Sequence, residues 1–268
     1  MKIPAQVTKP LLITMVGSGN VATHLSIAFE KAGHAVQAVY SRQLAHAQAL
    51  ARKLQNAVAS DSLNFSSSQP ADIYLLCLND AAIPEVINQM QFPPDSLVVH
   101  TSGSLSMNVL FTTQKFKKGV FYPVQTFSKN QAVDLANTPI AIEAEDDTTV
   151  RILQDLAHSI SSSVFSLSSQ DRKILHLAAV FACNFTNHLL GISQEILQGH
   201  GLDPVLLKPL VESTITKAMK NNPYEVQTGP AVRGDQNIMQ AQMQFLAPNT
   251  NYQQLYKLIS LSIQNQKK

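Results

Sequence analysis

Short apolar runs alternate with amphipathic stretches through the first two thirds of the chain. Runs of this length, bounded by turn residues, are typical of buried strands, and the intervening helical periodicity predicts parallel crossovers. The predicted strands are residues 11–16, 36–40, 57–59, 71–78, 96–99, 119–122, 139–143 and 163–167. Helices are predicted from Leu25 to Gly33 and over residues 44–54, 81–90 and 148–160. This alternation predicts an α/β domain built on a doubly wound, Rossmann-type parallel sheet.

The rhythm changes at residue 168. Ser168 to Asp171 resembles a capping box, and helical periodicity then continues without proline to about residue 198. Asp203-Pro204 begins a second helix, and two amphipathic helices at residues 236–246 and 252–263 follow a loop rich in glycine and proline. We therefore predict a Rossmann domain over residues 1–167 and an all-α domain over residues 168–268.

The first predicted strand runs directly into a G-x-G-x-x-A turn and then a helix. In this βαβ context the motif is typical of dinucleotide binding, although a purely structural turn is the alternative. Gly17 permits the tight turn, Gly19 lets the backbone approach a pyrophosphate, and Ala22 lets the helix pack closely on the strand. Free N–H groups at the helix N-terminus would hold the phosphates. The predicted pyrophosphate contacts are Gly17, Ser18, Gly19, Asn20 and Val21.

The end of the second strand carries Tyr40-Ser41-Arg42, where NAD-binding proteins place a carboxylate for the ribose. A guanidinium and a hydroxyl can instead bind a 2′-phosphate. We therefore predict NADP as the cofactor. An ordinary surface arginine that begins a helix is the alternative.

The carboxyl ends of the fourth and fifth strands deliver further candidates to the same edge of the sheet. We expect Leu78, Asn79, Asp80 and Ser102 to contact the cofactor, because ligands of open parallel sheets bind at this edge. Asp80 could also cap a helix. His100 could donate a proton or simply pack at the strand end.

Two polar residues stand out in the long apolar helix of the second domain. His176 and Asn184 are our predicted catalytic pair, because a buried helix should direct such groups into a cleft between the domains, where they would hold a substrate. They could instead bridge other helices. Arg233 could anchor an anionic substrate or pair with Asp235.

Composition restricts the remaining choices. A net charge of +2 without a cluster of basic residues excludes an electrostatic nucleic-acid binder. Cys77 and Cys183 lie in apolar segments, so we expect both in the core of a protein from a reducing compartment rather than in a metal site. No run approaches 18 apolar residues, which predicts no membrane span and a cytoplasmic location.

These segments together resemble a bacterial family of Rossmann-like proteins with a C-terminal domain of unknown function, DUF2520. The resemblance rests on segments spread along most of the chain, at residues 16–22, 40–42, 100–104, 122–127, 182–185 and 229–235. It implies a fold similar to pyrroline-5-carboxylate reductase, 6-phosphogluconate dehydrogenase and the F420-dependent NADP oxidoreductases, in which the helical domain often forms a homodimer. The β-hydroxyacid dehydrogenases carry a lysine four residues before an asparagine, where this chain has Val180 before Asn184. Their mechanism is therefore not transferred.

The leading hypothesis is an NADP(H)-dependent oxidoreductase that transfers hydride to or from a small metabolite in the interdomain cleft. A non-catalytic NADP(H)-binding sensor that uses the helical domain to dimerise is one alternative. Hydride exchange with the deazaflavin F420 is another.

Overall fold

The structure is a computed structural model that describes residues 9–66, 70–128 and 131–266. In this part of the chain, eight strands form one sheet in the order β3-β2-β1-β4-β5-β6-β7-β8. The strands are β1 (Leu12–Val16), β2 (Ala35–Tyr40), β3 (Val58–Ser60), β4 (Ile73–Leu76), β5 (Leu97–His100), β6 (Lys117–Pro123), β7 (Ile140–Ala144) and β8 (Val164–Ser166). The predicted doubly wound sheet is confirmed.

The strand order reverses beside β1, which pairs with β2 on one side and with β4 on the other. A crevice opens at such a switch point, outside the carboxyl ends of the strands. The register from β3 to β6 is parallel, but β7 runs antiparallel to β6. The predicted βαβ extension is present, since β7 pairs with β8 in parallel; the sequence pattern did not indicate its antiparallel attachment.

Helices pack against the sheet, and their apolar side chains form two buried clusters with those of the strands. They are α1 (Asn20–Lys31), α2 (Leu44–Ala51), α3 (Ala82–Val86) and α4 (Asp147–His158). Ala22 and Phe29 of α1 are fully buried against β1 and its neighbours, as the close-packing role of Ala22 predicts. Helix α3 is shorter than expected, because residues 87–89 continue as hydrogen-bonded turns.

The later part of the chain is helical, as predicted. It contains α5 (Ser169–Ala179), a π-helical segment (Val180–Phe185), α6 (Thr186–Gln198), a 3-10 turn (Pro204–Leu207), α7 (Lys208–Lys220), α8 (Pro230–Arg233), α9 (Gln236–Phe245) and α10 (Thr250–Asn265). Ser168 caps α5 by accepting a hydrogen bond from the Asp171 N–H. Contacts divide the chain into two compact units, Met1–Cys183 and Asn184–Lys268. We call these the sheet unit and the helical unit.

The expectation that the first long helix is buried is wrong. Arg172 is the one buried residue between Ser169 and Gln198, whereas the side chains of Ile174, Leu177 and Phe181 are about 60% exposed. Cys77 is buried as predicted, but Cys183 is exposed, so its assignment to the core is also wrong. Apolar periodicity predicts that a face is covered, without saying which surface covers it.

Ser169–Gln198 is also long and apolar enough, by length and composition, to cross a membrane. A single helix of this kind is weak evidence, because helices of soluble proteins satisfy the same criterion. The predicted cytoplasmic location stays a prediction.

Candidate functional site

The glycine-rich turn follows β1 and lies tightly against β4. Gly17 has a φ of +126°, and a Cβ at this position would lie 2.3 Å from the Cys77 carbonyl oxygen. Its N–H donates a 2.9 Å hydrogen bond to the Tyr40 carbonyl oxygen, which ties the turn to the end of β2. Glycine is therefore required here by the fold itself.

Gly19 has a different environment. A Cβ at Gly19 would meet no heavy atom within 4 Å, and this residue is the N-cap of α1. No side chain of the described residues caps α1, and its first turn contains no acidic residue. The N–H groups and the positive end of the helix dipole are thus left for an anion.

A cavity of about 330 Å³ opens at this turn, at the β1/β4 switch point. It is lined by Gly17, Ser18, Gly19, Tyr40, Ser41, Arg42, Gln43, His46, Cys77, Leu78, Asn79, Ala82, Glu85 and Val86. Seven of the predicted cofactor contacts therefore share one cavity: Gly17, Ser18, Gly19, Ser41, Arg42, Leu78 and Asn79. The sequence analysis missed Gln43, the N-cap residue of α2, and His46 in the first turn of that helix, because neither belongs to a recognised motif.

The residues of this cavity fit a dinucleotide. The space beside Gly19 and the uncapped start of α1 suit a pyrophosphate. The exposed Arg42, which follows β2, lines the same cavity and can bind a phosphate. Asn20 and Val21 do not line the cavity. The Asn20 side chain donates a 2.8 Å hydrogen bond to the Phe127 carbonyl oxygen, and Val21 packs against the core.

A second polar cluster lies at the ends of β5 and β6. The Tyr122 hydroxyl is 3.1 Å from Nδ1 of His176, and the imidazole tautomer decides which group donates. Both side chains pack close to Gly103, because a Cβ at this position would lie 2.6 Å from His176 Nδ1 and 2.7 Å from Tyr122 Cζ. Any larger residue at position 103 would separate the pair.

Asp80 and Ser102 belong to this second cluster rather than to the cavity. The Ser104 hydroxyl donates to the Asp80 carboxylate, and Ser102 Oγ accepts hydrogen bonds from the N–H groups of Ser104 and Leu105. The capping alternative for Asp80 is not observed, since α3 has Ala81 at its N-cap and no side-chain cap. Ser102 instead shapes the loop that carries Gly103.

Burial shifts the pKa values of Tyr122 and His100 in opposite directions. Burial raises the pKa of Tyr122, the Arg172 charge lowers it, and the Asp80 charge raises it. Burial lowers the pKa of His100 to about 4, so this fully buried imidazole is neutral near pH 7. Its Nδ1 accepts from the Ser102 N–H at 3.2 Å. These contacts favour the packing alternative for His100.

Comparisons with known proteins agree with this architecture. A Rossmann-like domain matches residues 4–118, and the domain of unknown function DUF2520 matches residues 138–263. The putative NADP oxidoreductase BF3122 from Bacteroides fragilis is 37% identical, with 96% of this chain and 98% of that chain covered and a TM-score of 0.88. The chain belongs to the Rossmann-like and DUF2520 family.

More distant structures share the fold of this family member. Pyrroline-5-carboxylate reductase from Streptococcus pyogenes is 13% identical, covers 96% and 99% of the two chains and has a TM-score of 0.61. An imine reductase from Myxococcus stipitatus, solved in complex with NADP+, is 12% identical, covers 95% and 93%, and has a TM-score of 0.62. No curated protein gives a significant match. The chain thus shares its fold with these two proteins.

The two remaining candidates from the sequence, Asn184 and Arg233, do not line the dinucleotide cavity. Asn184, the predicted partner of His176, is exposed and belongs to the helical unit. Arg233 forms a 2.8 Å ion pair with Asp235, which is the alternative that the sequence left open. The sequence analysis includes Tyr122 only in the segment 122–127 that carries the family resemblance, because strand periodicity cannot show that a tyrosine meets a histidine 54 residues away.

Proposed function

We propose that this protein is an NADP(H)-dependent oxidoreductase that transfers hydride to or from a carbonyl or imine carbon of a small polar metabolite. The observation that carries the proposal is the cavity in which Arg42 and the open backbone at Gly19 line the same space. Names such as pyrroline-5-carboxylate reductase and imine reductase among the structural neighbours support the choice of a C=O or C=N substrate.

The cofactor assignment combines three contributions. The start of α1 would hold the pyrophosphate, the guanidinium of Arg42 would bind the 2′-phosphate, and Ser41 would add a donor. No carboxylate follows β2 at the position where it would repel that phosphate. NADP(H) is therefore preferred to NAD(H).

The proton chemistry falls to Tyr122 and His176. When bound, the reduced nicotinamide supplies the hydride. The Tyr122 hydroxyl holds a proton that it can release toward a substrate oxygen or nitrogen, and His176 at 3.1 Å can replace that proton. The proposed catalytic pair is therefore His176 with Tyr122, and a role for Asn184 stays a prediction.

A thermal-shift titration with NADPH and NADH tests the cofactor site. A ligand that binds only the folded state, at 100 times its dissociation constant, adds about 2.7 kcal/mol of stability. We expect a larger shift with NADPH, an Arg42→Ala variant that loses this preference, and an Arg52→Ala control that keeps it. Equal effects of Arg42→Ala on both nucleotides would contradict the phosphate contact, and no shift with either nucleotide would contradict the function.

Turnover separates the proposal from the two alternatives. A sensor would bind NADPH without reducing any carbonyl or imine, and Tyr122→Phe would leave its affinity unchanged. An F420-dependent enzyme would show an absorbance change when reduced F420 and NADP are mixed with it. For the proposed enzyme we expect NADPH oxidation with a carbonyl or imine and its loss in Tyr122→Phe.

We also propose that the protein forms a homodimer through its helical region. Among the described residues, every exposed large hydrophobic side chain except Leu44, Val58 and Phe111 lies beyond residue 170. Contiguous exposed apolar surface is costly in water, and a second copy covers the same patch on both subunits.

A further inference from the structure

Arg172 carries the most deeply buried charge among the described residues. Its side chain is 1% exposed, and it is the largest of the fully buried side chains. Removing a guanidinium from water is expensive unless hydrogen bonds and an opposite charge compensate it. The pair with Glu143, at 3.0 Å, provides part of that compensation, but Nε of Arg172 has no hydrogen-bond partner among the residues that the structure describes. The contacts that Arg172 does form must therefore offset the cost of burying its charge.

The guanidinium joins three elements. Its two terminal nitrogens donate to the Leu105 carbonyl oxygen at 3.0 Å and to Glu143 on β7 at 3.0 Å, with a 3.2 Å bond to Ser169 Oγ in the first turn of α5. Ser169 also donates to Glu143 and accepts from the Met107 N–H at 3.0 Å. The start of α5 is therefore fixed both to the loop after β5 and to β7.

His176 follows Arg172 by four residues, about one turn of an α-helix, so the two side chains share a face of α5. A rotation or slide of α5 would displace His176 with it. Gly103 leaves little tolerance, because it is already in close contact with both His176 and Tyr122. The contacts of Arg172 thus fix the turn of α5 that directly precedes His176.

The same charge acts on the hydroxyl directly. Burial raises the pKa of Tyr122 above its usual value, and the Arg172 charge opposes this rise, while the charges of Asp80 and Cys183 add to it. Without the Arg172 charge, the Tyr122 hydroxyl would be harder still to ionise. Arg172 therefore has both a positioning effect and an electrostatic one.

We propose that Arg172 is a positioning residue of the candidate active site, with its buried guanidinium fixing the start of α5 so that His176 is held against Tyr122. The catalytic role of the His176–Tyr122 pair rests on the proposed function. The contact itself can be tested without a substrate.

The experiment follows the ionisation of Tyr122 by NMR of the full chain carrying ¹³Cζ-labelled tyrosine. The Tyr122 signal is assigned by its loss in Tyr122→Phe. Arg172→Met removes the charge, Arg172→Lys keeps it without the planar fork, and Lys173→Met removes the exposed neighbouring charge as a matched control. Urea denaturation of each variant verifies that it is folded.

We expect the pKa of Tyr122 to rise in Arg172→Met, to rise less in Arg172→Lys and to stay at the wild-type value in Lys173→Met. We also expect the ¹⁵N signals of His176 to change in both Arg172 variants, because α5 loses contacts that hold the imidazole against the Tyr122 hydroxyl. If Arg172→Met does not fold, the Lys variant against the Lys173 control decides, since a wild-type His176 spectrum in Arg172→Lys overturns the proposal. Equal Tyr122 pKa values in Arg172→Met and Lys173→Met overturn it too.

NADPH binding to the same variants keeps this test separate from the proposed function. We expect Arg172→Met to bind NADPH as the wild type does, because Arg172 does not line the dinucleotide cavity. A shifted Tyr122 pKa in a protein that binds no nucleotide would support the positioning role while the proposed function fails. An unshifted Tyr122 pKa in a protein that binds and oxidises NADPH would overturn the positioning role while the proposed function stands.

Discussion

The two compact units differ in how far their apolar side chains are buried. In the sheet unit, strand residues such as Ile13, Leu75 and Val99 are completely buried, and helices cover both faces of the sheet. In the helical unit, Ala231 and Met239 are the buried hydrophobic residues among those described, while Leu206 and Met219 are 64% and 82% exposed. The sheet unit has a core of its own, and the helical unit has apolar surface.

This difference shows what each unit needs for stability. A domain with a buried core is stable as a single chain, whereas a small helical unit that leaves its apolar faces exposed gains stability from a partner. Variants in the sheet unit should therefore change stability at any protein concentration. Variants on the apolar faces of the helical unit should act through assembly.

The largest expected effect is a cavity in the core of the sheet unit. Leu75→Ala removes a fully buried side chain from the centre of the sheet, and such changes cost about 2–5 kcal/mol of unfolding free energy. Urea denaturation at two protein concentrations measures it, with Val58→Ala, at a 66% exposed position, as the control. A loss below about 1 kcal/mol would show that the sheet unit is not the stable core we describe.

The buried imidazole of His100 makes the stability of the sheet unit pH-dependent. Burial holds its pKa at about 4 against 6.5 for the free side chain, so below pH 6.5 the unfolded chain binds a proton that the folded chain does not. The free energy of unfolding therefore falls as pH decreases from 6.5 to 4, by about 3 kcal/mol in total, and levels off below.

The test is urea denaturation across this pH range for the wild type, His100→Asn and His188→Asn. Asparagine can accept the Ser102 N–H as Nδ1 does, but it does not titrate. His188 is an exposed histidine of the helical unit and serves as the control. A wild-type pH slope in His100→Asn would assign the effect to other groups, of which His34 is one, since burial also lowers its pKa.

The next effect concerns assembly. Leu206→Asp with Leu210→Asp places charges on two leucines that are more than 60% exposed in the single chain. A charge buried in an interface weakens it strongly, so we expect the dimer dissociation constant to rise at least about tenfold, or 1.4 kcal/mol. Sedimentation equilibrium measures the mass, with Val58→Asp as an equally exposed control in the sheet unit. A monomeric wild type would remove the homodimer proposal.

The sequence predicted the sheet unit better than the helical unit, for a physical reason. Strand length, the turn at Gly17 and Gly19, and the residues after β2 and β4 are local signals, and they place seven predicted cofactor contacts in one cavity. The contacts of Tyr122 with His176 and of Arg172 with Glu143 join distant segments that no local pattern connects. The exposure of Phe181 and Cys183 depends on what covers the helix, which periodicity does not reveal.

The smallest expected change in stability gives the sharpest test of the glycine turn. Gly19→Ala places a methyl group where no heavy atom lies within 4 Å, at an extended backbone conformation that alanine adopts easily, so we expect stability to change by less than about 0.5 kcal/mol. Gly17→Ala should instead destabilise the fold by more than about 1 kcal/mol, because its Cβ meets the Cys77 carbonyl and its φ is positive.

NADPH binding separates the two roles of these glycines. If the space at Gly19 is kept open for a pyrophosphate, Gly19→Ala should weaken NADPH binding at least about tenfold in a protein of normal stability. Isothermal titration calorimetry on both variants measures this, beside thermal unfolding. A Gly19→Ala protein that binds NADPH as the wild type does would mean that the turn serves the fold alone. The open backbone at Gly19 would then no longer support the dinucleotide cavity.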